Sequence, residues 1–207
     1  RNLFKIMLLT GILLLVSSAC IIPFGPRLMR GSGDIVVEER DVRGFDEIVV
    51  TGAGRVIVTQ GDEESLTVET DDNLMEYIET RVKGDTLEIG FTQGTVFSPG
   101  GGRRVLEPTE GFIFRISVIE LNSLVLSGAA RCDMEKLKTG DMKVVLSGAG
   151  DINLEDLNAD SLDVVMSGAG DVQISGAVES QIVRLTGLGR YQGFDLESET
   201  ADISITG

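Results

Sequence analysis

The sequence contains no histidine and no tryptophan, and it has only two cysteines among its 207 residues. Without histidine the chain lacks the Ser-His and Cys-His nucleophilic pairs, the histidine general base and histidine ligands for zinc. Cys20 and Cys132 cannot complete a structural zinc site by themselves, because such a site needs four ligands. These absences exclude several large classes of enzyme.

Basic residues are also scarce. Lys and Arg number 18 against 33 Asp and Glu, and the formal net charge is −15. Binding to nucleic acid requires clustered cations that neutralise phosphates, so we expect no nucleic-acid partner. Aromatic residues make up 5% of the chain and prolines number 4, whereas glycines number 26. This balance is typical of short apolar segments joined by tight turns.

The N-terminus has the features of an export signal. Arg1 and Lys5 precede an apolar run over residues 6–16, and Ser-Ser-Ala leads directly to Cys20. A basic start, a short apolar region and small residues predict a signal peptide over residues 1–19, and the run is too short for a confident membrane span. The Ser-Ser-Ala-Cys sequence resembles a bacterial lipobox. That resemblance implies a lipidated Cys20 and an extracytoplasmic protein anchored to the cell membrane or outer membrane; an ordinary cleaved signal is the alternative.

The remainder divides into a tether and a folded domain. Residues 20–32 contain two prolines and are predicted to form a lipid-anchored tether. Residues 33–207 are predicted to form a β-solenoid head domain. The chain stops at Gly207 just as a further copy of a repeat begins, so we expect further coils to follow it.

A repeat of about 20 residues runs through the second half of the chain. Its glycines recur in steps of 20, 20, 19 and 20, at Gly128, Gly148, Gly168, Gly187 and Gly207. Apolar residues alternate within each copy, which indicates strands with one face inward. No helical pattern separates these strands, which excludes βαβ units. We therefore predict an all-β fold: a right-handed single-stranded parallel β-helix with irregular N-terminal strands and a long loop.

Stacking the coils in register predicts rows of equivalent side chains. One inward row is expected to contain Val56, Cys132, Ile152, Val172 and Tyr191. The next inward row is expected to contain Met134, Leu154 and Ile174. Cys132 is therefore predicted to be a buried, unreactive thiol. An outward row places two aspartates between arginines, whose charges partly compensate: Arg55, Arg131, Asp151, Asp171 and Arg190.

The N-terminal half is less regular. Residues 72–80 are predicted to form a short helix or an irregular bend. Residues 92–111 are rich in glycine and contain two prolines, so they are predicted to form a long loop. A glycine triplet followed by Arg103 and Arg104 could cradle an anion there. No following helix and no Lys-Ser/Thr pair supports a phosphate-binding loop, which favours a simple connecting loop.

A series of motifs runs in a fixed order through the folded region. It comprises Phe45-x-x-Ile48-x-Val50-x-Gly52, then Gln60-Gly61-Asp62, Asp72-Asn73-Leu74 and Gly84-Asp85-x-Leu87-x-Ile89, then Ser-Gly-Ala-Gly-Asp repeats. From about Gly44 to Gly207, the series resembles the head (GIN) domain of putative auto-transporter adhesins, a bacterial family. The resemblance implies an exported, often lipid-anchored β-helix of unknown ligand.

Three functions are compatible with these features. The first is an adhesin-like binding module, anchored to the membrane through its lipid, that recognises an extended glycan or a surface or envelope protein. Its ligand-binding residues are expected among Arg131, Asp151, Asp171, Arg190, Arg103 and Arg104. The second is a structural scaffold lipoprotein of the envelope.

The third function is a calcium-dependent polysaccharide lyase or hydrolase. Asp151 and Asp171, with Asp133 or Asp160, would then supply paired carboxylates or calcium ligands. Outward acidic residues on such a coil more often form a solvated surface. We therefore expect a binding protein with no enzyme activity, no resident metal and no cofactor, and we keep calcium as the alternative.

Overall fold

The fold is given by a computed structural model that describes residues 27–96 and 104–206. Strands account for most of these residues, and the helix among them is a single 3₁₀ helix over Asp72–Tyr77. Within this described part of the chain, no helix has the length and apolar character needed to span a membrane. The predicted signal peptide, Cys20 and Arg103 lie outside the described residues.

The strands are short in the first half of the chain and longer towards its end. Those of the first half are β1 (Arg27–Arg30), β2 (Ile35–Arg40), β3 (Glu47–Val50), β4 (Ala53–Gln60), β5 (Ser65–Asp71), β6 (Ile78–Lys83), β7 (Thr86–Phe91), β8 (Thr95–Val96) and β9 (Arg104–Glu107). Those of the second half are β10 (Ile113–Val118), β11 (Ser123–Leu126), β12 (Ala129–Met134), β13 (Leu137–Lys138), β14 (Asp141–Leu146), β15 (Asp151–Met166), β16 (Asp171–Thr186), β17 (Arg190–Gln192) and β18 (Leu196–Thr206).

The repeat forms parallel pairs between neighbouring copies. Strand β15 runs alongside β12, β13 and β14 in turn, and it also pairs with β16, which pairs with β17 and β18. Cys132 lies opposite Ile152, Ile152 opposite Val172, and Val172 opposite Tyr191. The predicted register of the repeat is confirmed.

The inward rows form the core. Leu154 is fully buried and lies between Met134 and Ile174, which are buried with it. Tyr191 packs against this core, and its hydroxyl donates a hydrogen bond to Gln181 Oε1 at 3.0 Å. Burial raises the pKa of Tyr191 to about 12. The predicted inward positions are therefore apolar interior positions.

Cys132 gives a direct chemical test of this register. The side chain is fully buried, and burial together with the charge of Asp133 raises the pKa of its thiol to about 12. The reactive thiolate is therefore scarcely populated at neutral pH. We expect no maleimide labelling of Cys132 in the folded chain and complete labelling in denaturant, measured by peptide mass spectrometry. Rapid labelling of the folded protein would contradict the assignment.

Several strands outside the repeat pair antiparallel. Strand β5 pairs antiparallel with both β2 and β10, and β6 pairs antiparallel with β7. The two residues between β6 and β7, Gly84 and Asp85, are too few for a parallel crossover. The all-β prediction is confirmed, but the architecture is a fifteen-stranded mixed sheet, for which a single-stranded parallel β-helix is too narrow a description.

Glycine is required at the corners of the repeat because the backbones of successive coils meet there. A methyl group on Gly148 would overlap the carbonyl group of Gly128, and one on Gly168 would overlap that of Gly148. The same contact carries a hydrogen bond from the Ala149 N–H to the Gly128 carbonyl oxygen at 2.9 Å. Close approach, rather than a left-handed backbone, explains these two glycines.

Part of the predicted tether and part of the predicted loop are strands. Arg27–Arg30 forms β1, which pairs in parallel with β9, and β9 also pairs with β8 to make a separate three-stranded sheet. Both β8 and β9 lie within residues 92–111. The composition of that stretch indicates a loop, but the buried side chain of Leu106 joins β9 to the core.

A buried carboxylate fastens this small sheet to the domain. Asp71 is fully buried, and its Oδ1 accepts hydrogen bonds from the Gly33 N–H at 2.8 Å and the Thr109 hydroxyl at 2.7 Å. Its Oδ2 accepts the Thr109 N–H at 2.8 Å. Burial alone raises the pKa of Asp71, but these hydrogen bonds outweigh it and hold the pKa below its ordinary value. The ionised form therefore stabilises the fold.

We expect Asp71→Asn to lower the free energy of unfolding at neutral pH by about 2 kcal/mol, because an amide turns one acceptor into a donor. The pKa of Asp71 is lower in the folded state, so its contribution is complete above the unfolded pKa of about 4 and is lost as pH falls through the folded value. Urea unfolding of both proteins from neutral pH to about pH 3 should show the two stabilities converging. A difference that stays constant with pH would contradict this role.

Candidate binding face

One outward surface carries most of the predicted ligand-binding residues. It is formed by strands β4, β12 and β17 and the first parts of β15 and β16, and we call it the charged face. Arg131 lies opposite both Arg55 and Asp151, and Asp171 lies opposite Arg190. Because side chains alternate along a strand, these residues all point away from the core. Four of the six predicted residues are thus brought together.

Asp133 is the acceptor that organises the arginines of this face. Its Oδ2 accepts a hydrogen bond from Arg55 Nε at 3.0 Å, and its Oδ1 accepts one from Arg131 Nε at 3.1 Å. The Asp133 side chain is 19% exposed, whereas both arginine side chains are more than half exposed. Each guanidinium group is therefore held at one edge and open to solvent elsewhere. From the sequence alone, Asp133 is expected only as a neighbour of Asp151.

Asp151 and Asp171 lie side by side but have different partners. The Asp171 N–H donates to Asp151 Oδ1 at 3.2 Å, and Arg190 Nη1 lies 3.6 Å from Asp171 Oδ2. Within residues 27–96 and 104–206, no three acidic or cysteine side chains converge closely enough to hold a metal ion.

A second outward row includes three amide side chains that were not identified from the sequence. Asn153, Gln173 and Gln192 continue the row that contains Asp133. Asn153 Nδ2 donates to Glu155 Oε1 at 3.0 Å, while Asn153 Oδ1 is shielded from solvent with no hydrogen-bond partner among the described residues. Amides offer donors and acceptors together, so this row can bind hydroxyl or peptide groups. The period of two that places Arg131 outward also places this row outward.

A groove of about 640 Å³ lies at the carboxyl end of β4, beside the charged face. It is lined by Val58, Thr59, Gln60, Gly61, Asp62, Ile119, Glu135 and Lys136. The Gln60 amide donates to the carbonyl oxygens of Ile119 at 3.0 Å and Lys138 at 2.9 Å, and it accepts the Lys138 N–H at 2.9 Å. Ile119 is 54% exposed. Hydrogen bonds between the Gln60 side chain and the backbone thus fix this groove, and the apolar side chain of Ile119 lies at its rim.

Arg104 does not belong to the charged face. It begins β9 in the separate three-stranded sheet, where its guanidinium carbon lies 5.5 Å from the centre of the Tyr77 ring. Arg103 lies outside the described residues. From the sequence alone these two arginines share only their charge with the other predicted residues, and the sheet topology places Arg104 apart from the charged face.

Several solved structures share this fold. A putative adhesin from Bacteroides fragilis has a TM-score of 0.78 at 20% identity, with 86% of this chain and 79% of that chain covered. A putative lipid binding protein from Parabacteroides distasonis has a TM-score of 0.63 at 24% identity, with 86% and 81% covered. A putative adhesin from Parabacteroides merdae has a TM-score of 0.57 at 19% identity, with 87% and 81% covered.

The sequence itself identifies the family. No curated protein matches the chain. Residues 44–207 match the family model described as "Putative auto-transporter adhesin, head GIN domain". This range contains the motif series from Phe45 onward and every copy of the repeat. The chain therefore belongs to this head GIN domain family.

Proposed function

We propose that the protein is an adhesin-like binding module, held in the bacterial envelope by a lipid on Cys20, that binds an extended glycan or surface protein. In this proposal the parallel repeats form a right-handed β-helix, as the strong preference for right-handed crossovers indicates. The names of the family and of the solved relatives support a binding role: two of the three structures are called adhesins and one a lipid binding protein.

The charged face is the observation that carries this proposal. Its rows repeat hydrogen-bonding groups at the strand spacing of about 4.8 Å. The same sheet continues through β10, β5 and β2, which gives eight strands in all. At that spacing the outward surface is roughly 34 Å wide. An extended ligand laid across β12, β15, β16 and β17 would meet a donor or acceptor of both rows at each of these four strands.

The arginines of the charged face are prepared for binding. Asp133 fixes the guanidinium groups of Arg55 and Arg131, while more than half of each side chain stays exposed. A group that is already ordered loses less conformational freedom when a ligand binds. Guanidinium groups bind carboxylates with two parallel hydrogen bonds, which favours acidic glycans or acidic segments of a surface protein.

Retention on immobilised ligands tests the proposal. We expect the wild-type chain to be retained by at least one member of a set of acidic polysaccharides, neutral polysaccharides and washed bacterial envelopes. Arg131→Gln/Arg190→Gln should weaken that retention by about tenfold or more. The matched control is Lys143→Gln/Arg184→Gln, which removes the same charge from the outward side of β14 and of the last part of β16. Equal weakening by both variants, or no retention of the wild type, would overturn the proposal.

A further inference from the structure

The small sheet of β1, β8 and β9 has a basic end and a mixed end. At the amino ends of the strands Arg27 lies opposite Arg104, and both residues are exposed. At the carboxyl ends Arg30 lies opposite Glu107, with Arg30 Nε 3.0 Å from Glu107 Oε2. Among the described residues, no acidic side chain forms an ion pair with Arg27 or Arg104. The other adjacent pair, Arg55 and Arg131, shares the carboxylate of Asp133, so the lack of an acidic partner distinguishes the basic end.

The basic end is the end of β1 that is nearer to Cys20 along the chain. Strand β1 begins at Arg27, so only residues 21–26 join it to that cysteine. Seven residue steps span at most about 25 Å. The other end of β1 is fixed to the domain, since the Gly31 N–H donates to the Glu107 carbonyl oxygen at 2.9 Å and Asn73 Nδ2 donates to the Arg30 carbonyl oxygen at 2.9 Å. A lipid on Cys20 would therefore keep the basic end close to the membrane.

We propose that the Arg27–Arg104 end of the small sheet binds the anionic phospholipid headgroups of the membrane that holds the lipid on Cys20. The inference rests on the proposed lipidation of Cys20. An arginine close to an anionic surface strengthens attachment by about fivefold. Charges separated by more than about 10 Å are largely screened at physiological salt, so acidic residues farther than this from the membrane oppose the contact only weakly. Leu28, which is 51% exposed, adds an apolar side chain next to Arg27.

The test uses the chain from residue 20 onward, coupled through Cys20 to a maleimide lipid in vesicles. Cys132 is fully buried, so coupling is selective for Cys20. The sequence contains no tryptophan, and Leu28→Trp therefore provides a single fluorescent probe at the basic end. Vesicles of phosphatidylcholine, with or without phosphatidylglycerol, carry brominated acyl chains that quench tryptophan at the membrane. Leu188→Trp is the probe for a surface away from the basic end. The Leu188 side chain is 90% exposed and follows the corner glycine Gly187.

We expect quenching of the Leu28→Trp probe to be at least about fivefold stronger with phosphatidylglycerol than without it, and to weaken with salt. The Leu188→Trp probe should show no such increase. Arg27→Gln/Arg104→Gln should abolish the increase, whereas Arg27→Lys/Arg104→Lys should retain it. Arg131→Gln/Arg190→Gln removes the same charge from the charged face and should leave it unchanged.

Two results would overturn the inference: equal quenching in both kinds of vesicle, or an equal loss in the charged-face variant. The coupling is chemical, so the outcome does not depend on whether cells lipidate Cys20. Retention on polysaccharides is measured separately, and its failure would leave the membrane contact standing. Far-ultraviolet circular dichroism of each variant verifies that the β-fold is retained.

Discussion

Leu154→Asp is expected to unfold the domain, with a loss of about 5 kcal/mol or more in the free energy of unfolding. Leu154 is fully buried between Met134 and Ile174, in a row without a polar partner for a carboxylate. The buried charge must therefore take up a proton or disrupt the stack around it. Urea unfolding followed by circular dichroism measures the loss, and the variant should already be largely unfolded without denaturant.

The matched control for this change is Asp151→Asn in the same coil. Asp151 is exposed, and its Oδ1 accepts the Asp171 N–H, which an asparagine oxygen can still do. We expect a change of no more than about 0.5 kcal/mol, the usual range for surface substitutions. Comparable losses in both variants would mean that the inward and outward rows are assigned to the wrong faces.

Gly148→Ala is expected to cost about 3 kcal/mol, although it adds only one methyl group. That methyl group would overlap the Gly128 carbonyl group of the neighbouring coil, and the contact is backbone against backbone. No side chain can move aside, so the coils must separate and lose the hydrogen bond from Ala149. Urea unfolding of Gly148→Ala beside Ser147→Ala, an exposed neighbour expected to change stability by less than about 0.5 kcal/mol, measures the effect. A neutral Gly148→Ala would show that the corners do not stack this closely.

The repeats are the part of the fold that the sequence predicts best. A period of two fixes which side chains point inward, and a step of 20 residues fixes which of them lie opposite one another. Both periods can be read directly from the sequence. Together they place Cys132 against Ile152 and Ile152 against Val172. The sequence does not show why glycine is required at the corners, because the contact that requires it joins different coils.

The small sheet could not be predicted from local pattern. Strands β1 and β9 are four residues each and lie in or beside stretches rich in proline and glycine. Their positions depend on distant partners, chiefly the buried carboxylate of Asp71 and the burial of Leu106. A composition rich in proline and glycine is typical of a flexible loop. These long-range contacts nevertheless determine that the segments fold as strands.

The candidate site was predicted in outline but not in its pairing. Arg131, Asp151, Asp171 and Arg190 share a face because they occupy equivalent positions of the repeat. Their ion pairs depend on the reach of long side chains, which can cross to the next row. Arg55 and Arg131 therefore meet at Asp133, one row away from Asp151.

In the proposed function, this protein binds an extended surface ligand without changing it. The most direct measurement incubates the chain with acidic and neutral polysaccharides, with and without calcium, and follows retention together with newly formed unsaturated and reducing ends. We expect retention with no increase in ultraviolet absorbance and no new reducing ends. Calcium-dependent formation of either product would contradict it and would assign chemistry to Asp151 and Asp171.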